Sequence, residues 1–207
     1  MHLARAVGVI AALVVVTPSA RADGVYVSEA FGVSLPRGAI APCLAQPLKV
    51  RLAAGVKYRW VAIEPFISAD MQLDRVGALR GFVGGKPAAG TSDLSSYGID
   101  AKVTRRIDRV LSAYVRVGPS RVDANGALAG YAGWGAGASA GLVISGRVRA
   151  LGFLWAPLFF VKRGPMVTGA LFLDQGVDVY RLRMAGAPNL DARVGHVCVG
   201  FALGSDF

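Results

Sequence analysis

Val50-Arg51-Leu52-Ala53-Ala54-Gly55-Val56-Lys57-Tyr58-Arg59-Trp60 alternates without a break: Val50, Leu52, Ala54, Val56, Tyr58 and Trp60 share one phase, and Arg51, Ala53, Gly55, Lys57 and Arg59 the other. Successive side chains leave a strand on opposite sides, so period two marks a β-strand with one apolar and one polar face. The chain repeats the pattern at once, with Ile63, Pro65, Ile67, Ala69, Met71 and Leu73 against Ala62, Glu64, Phe66, Ser68, Asp70 and Gln72. A tight turn near Trp60 then joins two antiparallel strands.

The same alternation recurs on both sides of this hairpin. Tyr97, Ile99, Ala101 and Val103 alternate with Gly98, Asp100, Lys102 and Thr104, and Leu111, Ala113, Val115 and Val117 with Ser112, Tyr114, Arg116 and Gly118. Trp134, Ala136, Ala138, Ala140, Leu142 and Ile144 alternate with glycines, Ser139 and Val143. Residues 25–33 supply a first strand, 148–162 a seventh, and Val197, Val199, Phe201 and Leu203 the apolar face of the last. Turns are expected at Trp60, Arg106 and Gly146, and long loops at 34–47, 74–95 and 119–130, so that short turns and long loops fall at opposite ends of a meander. The count is eight strands. Residues 162–191 stay open, because 166–173 and 177–184 read as an extended last hairpin, a structured loop, or two further strands making ten. Pro65 and Pro157 fall inside strands, where a missing N–H calls for bulges or for other strand limits.

Residues 1–22 have the form of a secretory signal: a basic head, an apolar run over 6–16 too short to span a bilayer as a helix, and Ala20-Arg21-Ala22 as a cleavage site. Residues 23–207 are then one domain. The net charge is +10, and losing Arg5 and Arg21 with the signal lowers it to +8. Lys and Arg are scattered singly among apolar residues rather than gathered in a run or stripe, which argues against a nucleic-acid partner. More than half of the chain is apolar, 54%, yet no later stretch approaches the roughly twenty apolar residues of a membrane helix. Apolar side chains must therefore be hidden one residue in two, in a core or against lipid.

The polar phase decides between those. A soluble barrel points its apolar face inward and coats its outside with Lys, Glu and Asp. Here the polar phase is Gly, Ser, Ala and Tyr with single charges of both signs, Arg51, Lys57, Glu64, Asp70, Asp100, Lys102 and Arg116. Such charges pair across a narrow lumen, while hydrocarbon outside requires only apolar groups and a closed sheet. The fold class is all-β, an antiparallel up-and-down transmembrane barrel. Tyr58, Trp60, Trp134 and Trp155 suit the two membrane interfaces.

Gly55-Val56-Lys57-Tyr58-Arg59-Trp60, Ala113-Tyr114-Val115-Arg116-Val117-Gly118, Gly133-Trp134-Gly135-Ala136-Gly137-Ala138 and the terminal Gly200-Phe201-Ala202-Leu203-Gly204-Ser205-Asp206-Phe207 together resemble the OmpA-like family of eight-stranded outer-membrane barrels. The resemblance implies a place in the outer membrane, contact with its lipid and lipopolysaccharide, and a terminal aromatic strand similar to the signal read by the outer-membrane assembly machinery. It implies little about activity.

An eight-stranded barrel has an interior just wide enough to be filled by side chains, with the glycines at 133–141 leaving room for bulky neighbours such as Phe66 or Tyr114. His196 and Cys198 share the inward face of the last strand, but a nucleophilic site needs a third, orienting group that the sequence does not offer. With no C-x-x-C and only His196 left after the signal, no metal or cofactor is expected. Export permits a disulfide between Cys43 and Cys198. Arg181 and Arg183, beside Asp174 and Asp178, are candidates for lipopolysaccharide phosphates. The expectation is a monomeric, non-enzymatic outer-membrane protein in envelope integrity or adhesion, with a soluble periplasmic ligand-binding barrel and a lipid A-modifying enzyme as rivals.

Overall fold

The computed structural model describes residues 24–44, 47–72, 91–149 and 166–204. Eight strands follow one another: β1 (Gly24–Gly38), β2 (Pro47–Tyr58), β3 (Val61–Gln72), β4 (Ser92–Arg106), β5 (Leu111–Gly126), β6 (Ala132–Arg149), β7 (Met166–Arg183) and β8 (Leu190–Gly204). Each pairs antiparallel with the next, and β8 closes on β1 from Tyr26↔Gly204 to Gly38↔Ala192. Closure leaves no free edge, which a sheet without water around it requires.

The termini of this sheet and the β2–β3 and β4–β5 turns lie at one end, the turn end; the β1–β2, β3–β4, β5–β6 and β7–β8 connections lie at the other, the loop end. Tyr58 pairs with Val61, so Arg59 and Trp60 alone make the β2–β3 turn, and Arg59 takes a left-handed φ of 55° to do so. In the β4–β5 turn the Asp108 carboxylate accepts from Val110 N and Leu111 N, both at 2.8 Å. Arg106 closes the same turn on the carbonyls of Asp108 and Arg109, both at 2.7 Å.

The outward face is apolar. Val27, Phe31, Val33 and Leu35 of β1, Val115 and Val117 of β5, Leu142 and Ile144 of β6, Leu171, Leu173, Val177 and Val179 of β7 and Val197 and Val199 of β8 are all exposed. On β1 the run from Val27 to Leu35, at about 3.4 Å per residue and a tilt near 40°, makes a band roughly 20 Å tall, close to the hydrocarbon belt of membrane barrels. Tyr58 and Trp60 stand at its turn end and Trp134 at its loop end, all exposed. Trp155 lies outside the described residues. Glu29 interrupts the band between Val27 and Phe31.

The strand limits differ from the sequence expectation in five places, two of them small: β1 runs on to Gly38 and β4 begins at Ser92, both inside segments expected as loops. Residues 119–126 continue β5 instead of opening a loop, pairing with both β4 and β6. Ser145, Gly146 and Arg147 lie within β6, opposite Ala170, Gly169 and Thr168, not in a turn. The seventh strand is Met166–Arg183, one continuous strand where two segments were in doubt, rather than 148–162. Most of 148–162 lies outside the described residues. Glycine and aspartate on the inward face of β7 blur its hydropathy, which divides 166–183 in the sequence pattern. As a result the connections at the loop end include two short ones, 127–131 and 184–189, so short and long links do not sort by end.

No bulge forms at Pro65. The β2–β3 ladder skips Ala54 and Gly55 and resumes at Val56↔Ile63 in the register it had at Ala53↔Phe66, so the lost N–H costs pairing on one side only. Pro157 lies outside the described residues.

Candidate functional site

The inward phase of the strands builds a buried ion-pair chain. At the turn end Lys102 Nζ lies 3.0 Å from Glu64 Oε1, and the Tyr26 hydroxyl donates to the same carboxylate. Arg51 Nη2 spans Glu64 at 3.8 Å and Asp100 at 2.7 Å. Arg116 lies 3.7 Å from Asp100 through Nε and pairs with Asp174 through Nη2. Asp174 also accepts from Tyr114 OH at 2.8 Å, and Arg116 Nε donates to Ser139 Oγ at 2.7 Å.

His196 then carries the chain onward, with Nε2 3.4 Å from Asp174 and Nδ1 3.3 Å from Asp178. Lys49 Nζ lies 2.8 Å from Asp178 and 3.5 Å from Asp70, and Ser34 Oγ donates to Asp70. Charged groups removed from water are tolerable only when each faces an opposite charge or a hydrogen-bond partner. From Lys102 to Asp174, and again from Asp178 through Lys49 to Asp70, each cation faces a carboxylate, and His196 stands between the two runs.

Thus Arg51, Glu64, Asp70, Asp100, Lys102 and Arg116 meet in one network. Lys57 lies beyond it, lining a turn-end cavity of about 20 Å³ with Tyr26, Ala62, Lys102, Thr104 and Ser112. Lys49, Asp174 and Asp178 belong to the network although sequence reasoning did not assign them to the charged lumen, and His196, read as inward-facing, joins it. Lys49 has the phase of Arg51 and needed only a longer β2; Asp174 and Asp178 share a phase and were obscured by the uncertain limits of β7. Arg181 and Arg183 take the opposite phase and point outward, away from Asp174 and Asp178, with Arg181 3.1 Å from Asp191 instead.

The remaining space is small. A cavity of about 10 Å³, room for about one water, is lined by Lys49, Arg51, Ser68, Asp100, Arg116 and His196 among others. Buried atoms Arg51 Nε, Ser68 Oγ and both His196 nitrogens lack a hydrogen bond. Beyond Lys49 and His196 the inward phase turns apolar: Leu94, Val122, Leu182 and Val194 pack with Ile40 and Leu44 from the β1–β2 connection. The short 3-10 turn Ala41–Cys43 folds those two side chains into the mouth, closing the loop end by hydrophobic contact. At the turn end Tyr114, Val143, Ala170 and Ala202 pack with Phe172, the Tyr114 and Phe172 rings edge to face at 6.4 Å.

Inward glycines make room for the large side chains. A Cβ on Gly141 would stand 2.6 Å from the Tyr114 ring, and one on Gly55 2.3 Å from the Tyr26 ring. Phe66 packs instead beside Gly98, with the Arg51 guanidinium 3.8 Å above its ring centroid.

Cys43 and Cys198 are separate thiols, so the disulfide that export permits is not formed in this structure. Cys198 is buried on the inward phase of β8, whereas Cys43 sits in the turn at the loop end and packs against the apolar cluster there. His196 and Cys198 share the interior without forming a pair, because both ring nitrogens of His196 face carboxylates and neither makes a hydrogen bond.

No family model matches the chain, and no curated protein matches it significantly. Among solved structures, the chain is similar to Neisserial surface protein A, at 12% identity and a TM-score of 0.50, over 86% of this chain and 96% of that one. It is also similar to Ail, the attachment invasion locus protein of Yersinia pestis, at 11% identity and a TM-score of 0.47, over 87% and 97%. At such identities the first of these speaks to fold. The class is that of the small, closed, eight-stranded antiparallel barrel.

Proposed function

We propose that this chain is a non-enzymatic integral outer-membrane barrel, OmpA-like in its plan, whose rigid wall holds loops at the cell surface for envelope integrity or surface contact. One observation carries the reading: the charges are buried inside and the large apolar side chains face out. A water-soluble barrel with that arrangement would expose its apolar band to solvent and aggregate. In the same reading, residues 1–22 are the export signal, the terminal strand engages the assembly machinery, and outer-membrane lipid and lipopolysaccharide surround a monomer. The burial of His196 among carboxylates speaks against a lipid-modifying enzyme, whose chemistry needs its base at the rim where lipid arrives.

Expression in a Gram-negative host, separation of the membranes by density, and gel migration of boiled against unboiled samples test the reading. Recovery with the outer membrane and a heat-dependent mobility shift is the expected result. A soluble periplasmic protein with no shift overturns it in favour of a ligand-binding barrel.

A further inference from the structure

Five arginines gather on the outward face at the loop end, on neighbouring strands. Arg121 of β5 stands opposite Trp134 of β6, Trp134 opposite Arg181 of β7, Arg181 opposite Asp191 of β8, and Arg193 of β8 opposite Arg37 of β1. Arg183 extends the row past Arg181. Arg121 is 4.0 Å from Asp123 and 5.8 Å from the Trp134 ring centroid, and Arg181 is held by Asp191. Arg37, Arg183 and Arg193 are exposed and have no carboxylate within ion-pair distance among the described residues.

Three features mark this as more than a solvated rim. Arg37 and Arg193 are direct cross-strand partners on one face, and like charges so placed repel and destabilise a sheet unless an anion lies between them. The row also sits at a defined depth. Arg37 follows Leu35 and Arg181 follows Val179, the last exposed apolar residues of their strands, at a step of about 7 Å. Trp134, 64% exposed, occupies the same row, at the level where tryptophan marks a membrane interface. Finally, among the described residues the row is one-sided: at the loop end the outward positions of β2, β3 and β4 are Leu48, Met71, Asp93 and Ser95, with no cation among them.

We propose that the outward face of β7, β8 and β1 at the loop end is a binding site for a phosphorylated glycolipid of the surrounding leaflet. Arg37 and Arg193 share one phosphate, Arg183 and Arg181 flank a second, and the lipid's acyl chains lie along Leu35, Val177, Val179 and Val197 below. Guanidinium suits this task because its planar fork gives two parallel charge-assisted hydrogen bonds to phosphate oxygens. The proposal rests on the membrane reading above and deepens it. A chain that fails to insert is detected by the membrane separation before any lipid is added, so the two failures are distinct.

The test uses the full mature chain refolded in zwitterionic micelles, with the midpoint of its heat-dependent mobility shift as readout. The probes are a bisphosphorylated glycolipid, its dephosphorylated counterpart and inorganic phosphate. Arg37→Gln/Arg193→Gln is compared with Arg105→Gln/Arg109→Gln, which removes equal charge at the turn end. The bisphosphorylated lipid should raise the midpoint of the parent and the turn-end variant, while the dephosphorylated lipid and inorganic phosphate leave both unchanged. In Arg37→Gln/Arg193→Gln the lipid concentration for half the effect should rise about tenfold or more, two charge-assisted bonds being lost. An unchanged response in that variant, an equal loss in the turn-end variant, or the whole effect from inorganic phosphate would each overturn the proposal.

Discussion

Arg116 joins the two halves of the interior network, and its removal is the sharpest test of whether that network stabilises the barrel. Its guanidinium is buried, pairs with Asp174 and lies 3.7 Å from Asp100; Asp174 itself is 0% exposed. Arg116→Met keeps an unbranched apolar stem and leaves Asp174 with Tyr114 and His196 but no guanidinium. Stripping one partner from a buried pair costs about 3–5 kcal/mol, since the remaining charge cannot return to water. The surviving hydroxyl and imidazole partners place the expected loss near the lower limit, about 3 kcal/mol. With a urea slope of roughly 2 kcal/mol per molar, the unfolding midpoint in lipid vesicles should fall by about 1.5 M.

Tryptophan emission follows that transition, because Trp134 loses its place on the outer face of the sheet on unfolding. Adding Asp174→Asn to Arg116→Met removes the stranded charge and should restore about 2 kcal/mol. Arg121→Met, at an exposed site on the same strand, serves as control and should cost under about 0.5 kcal/mol. If Arg116→Met shifts the midpoint no more than Arg121→Met, or if the double variant is no more stable than the single one, the interior pairs do not hold the barrel together.

Gly141→Ala places a methyl against the Leu173 carbonyl and 2.6 Å from the Tyr114 ring, and should cost about 1–3 kcal/mol in the same assay; a neutral result would show that the β7 backbone and the Tyr114 ring both give way. The backbone N–H groups of Val110 and Leu111 hold the Asp108 carboxyl below its ordinary pKa of 3.8, so its contribution to the turn is present above that value and is lost as pH falls through the lower, folded one. The difference in midpoint between the parent and Asp108→Ala should therefore stay constant from neutral pH to about 4 and shrink below it; a difference independent of pH would remove the carboxylate from the account. Reductant should leave the mobility of the unboiled protein unchanged, and Cys43→Ser should behave as the parent does, since the two thiols are apart; a reductant-sensitive band would contradict this.

The alternation over residues 50–73 and the mixed charges of its polar phase were enough to specify a closed sheet with its charges inside, because the side-chain period of a strand is read directly from the order of residues. Phase alone also put Arg51, Glu64, Asp70, Asp100, Lys102 and Arg116 on one face. What it left open depends on register and closure. Where β7 begins, and hence that Asp174 and Asp178 face inward while Arg181 and Arg183 face out, is decided by pairing with β6 and β8, since a one-residue slip exchanges the two faces. The place of His196 between two carboxylates follows from the β7–β8 register, whereas Arg37 and Arg193 come from strands far apart in the chain. Only the closed sheet brings them together, because hydrogen bonding between β1 and β8 fixes which residues stand side by side.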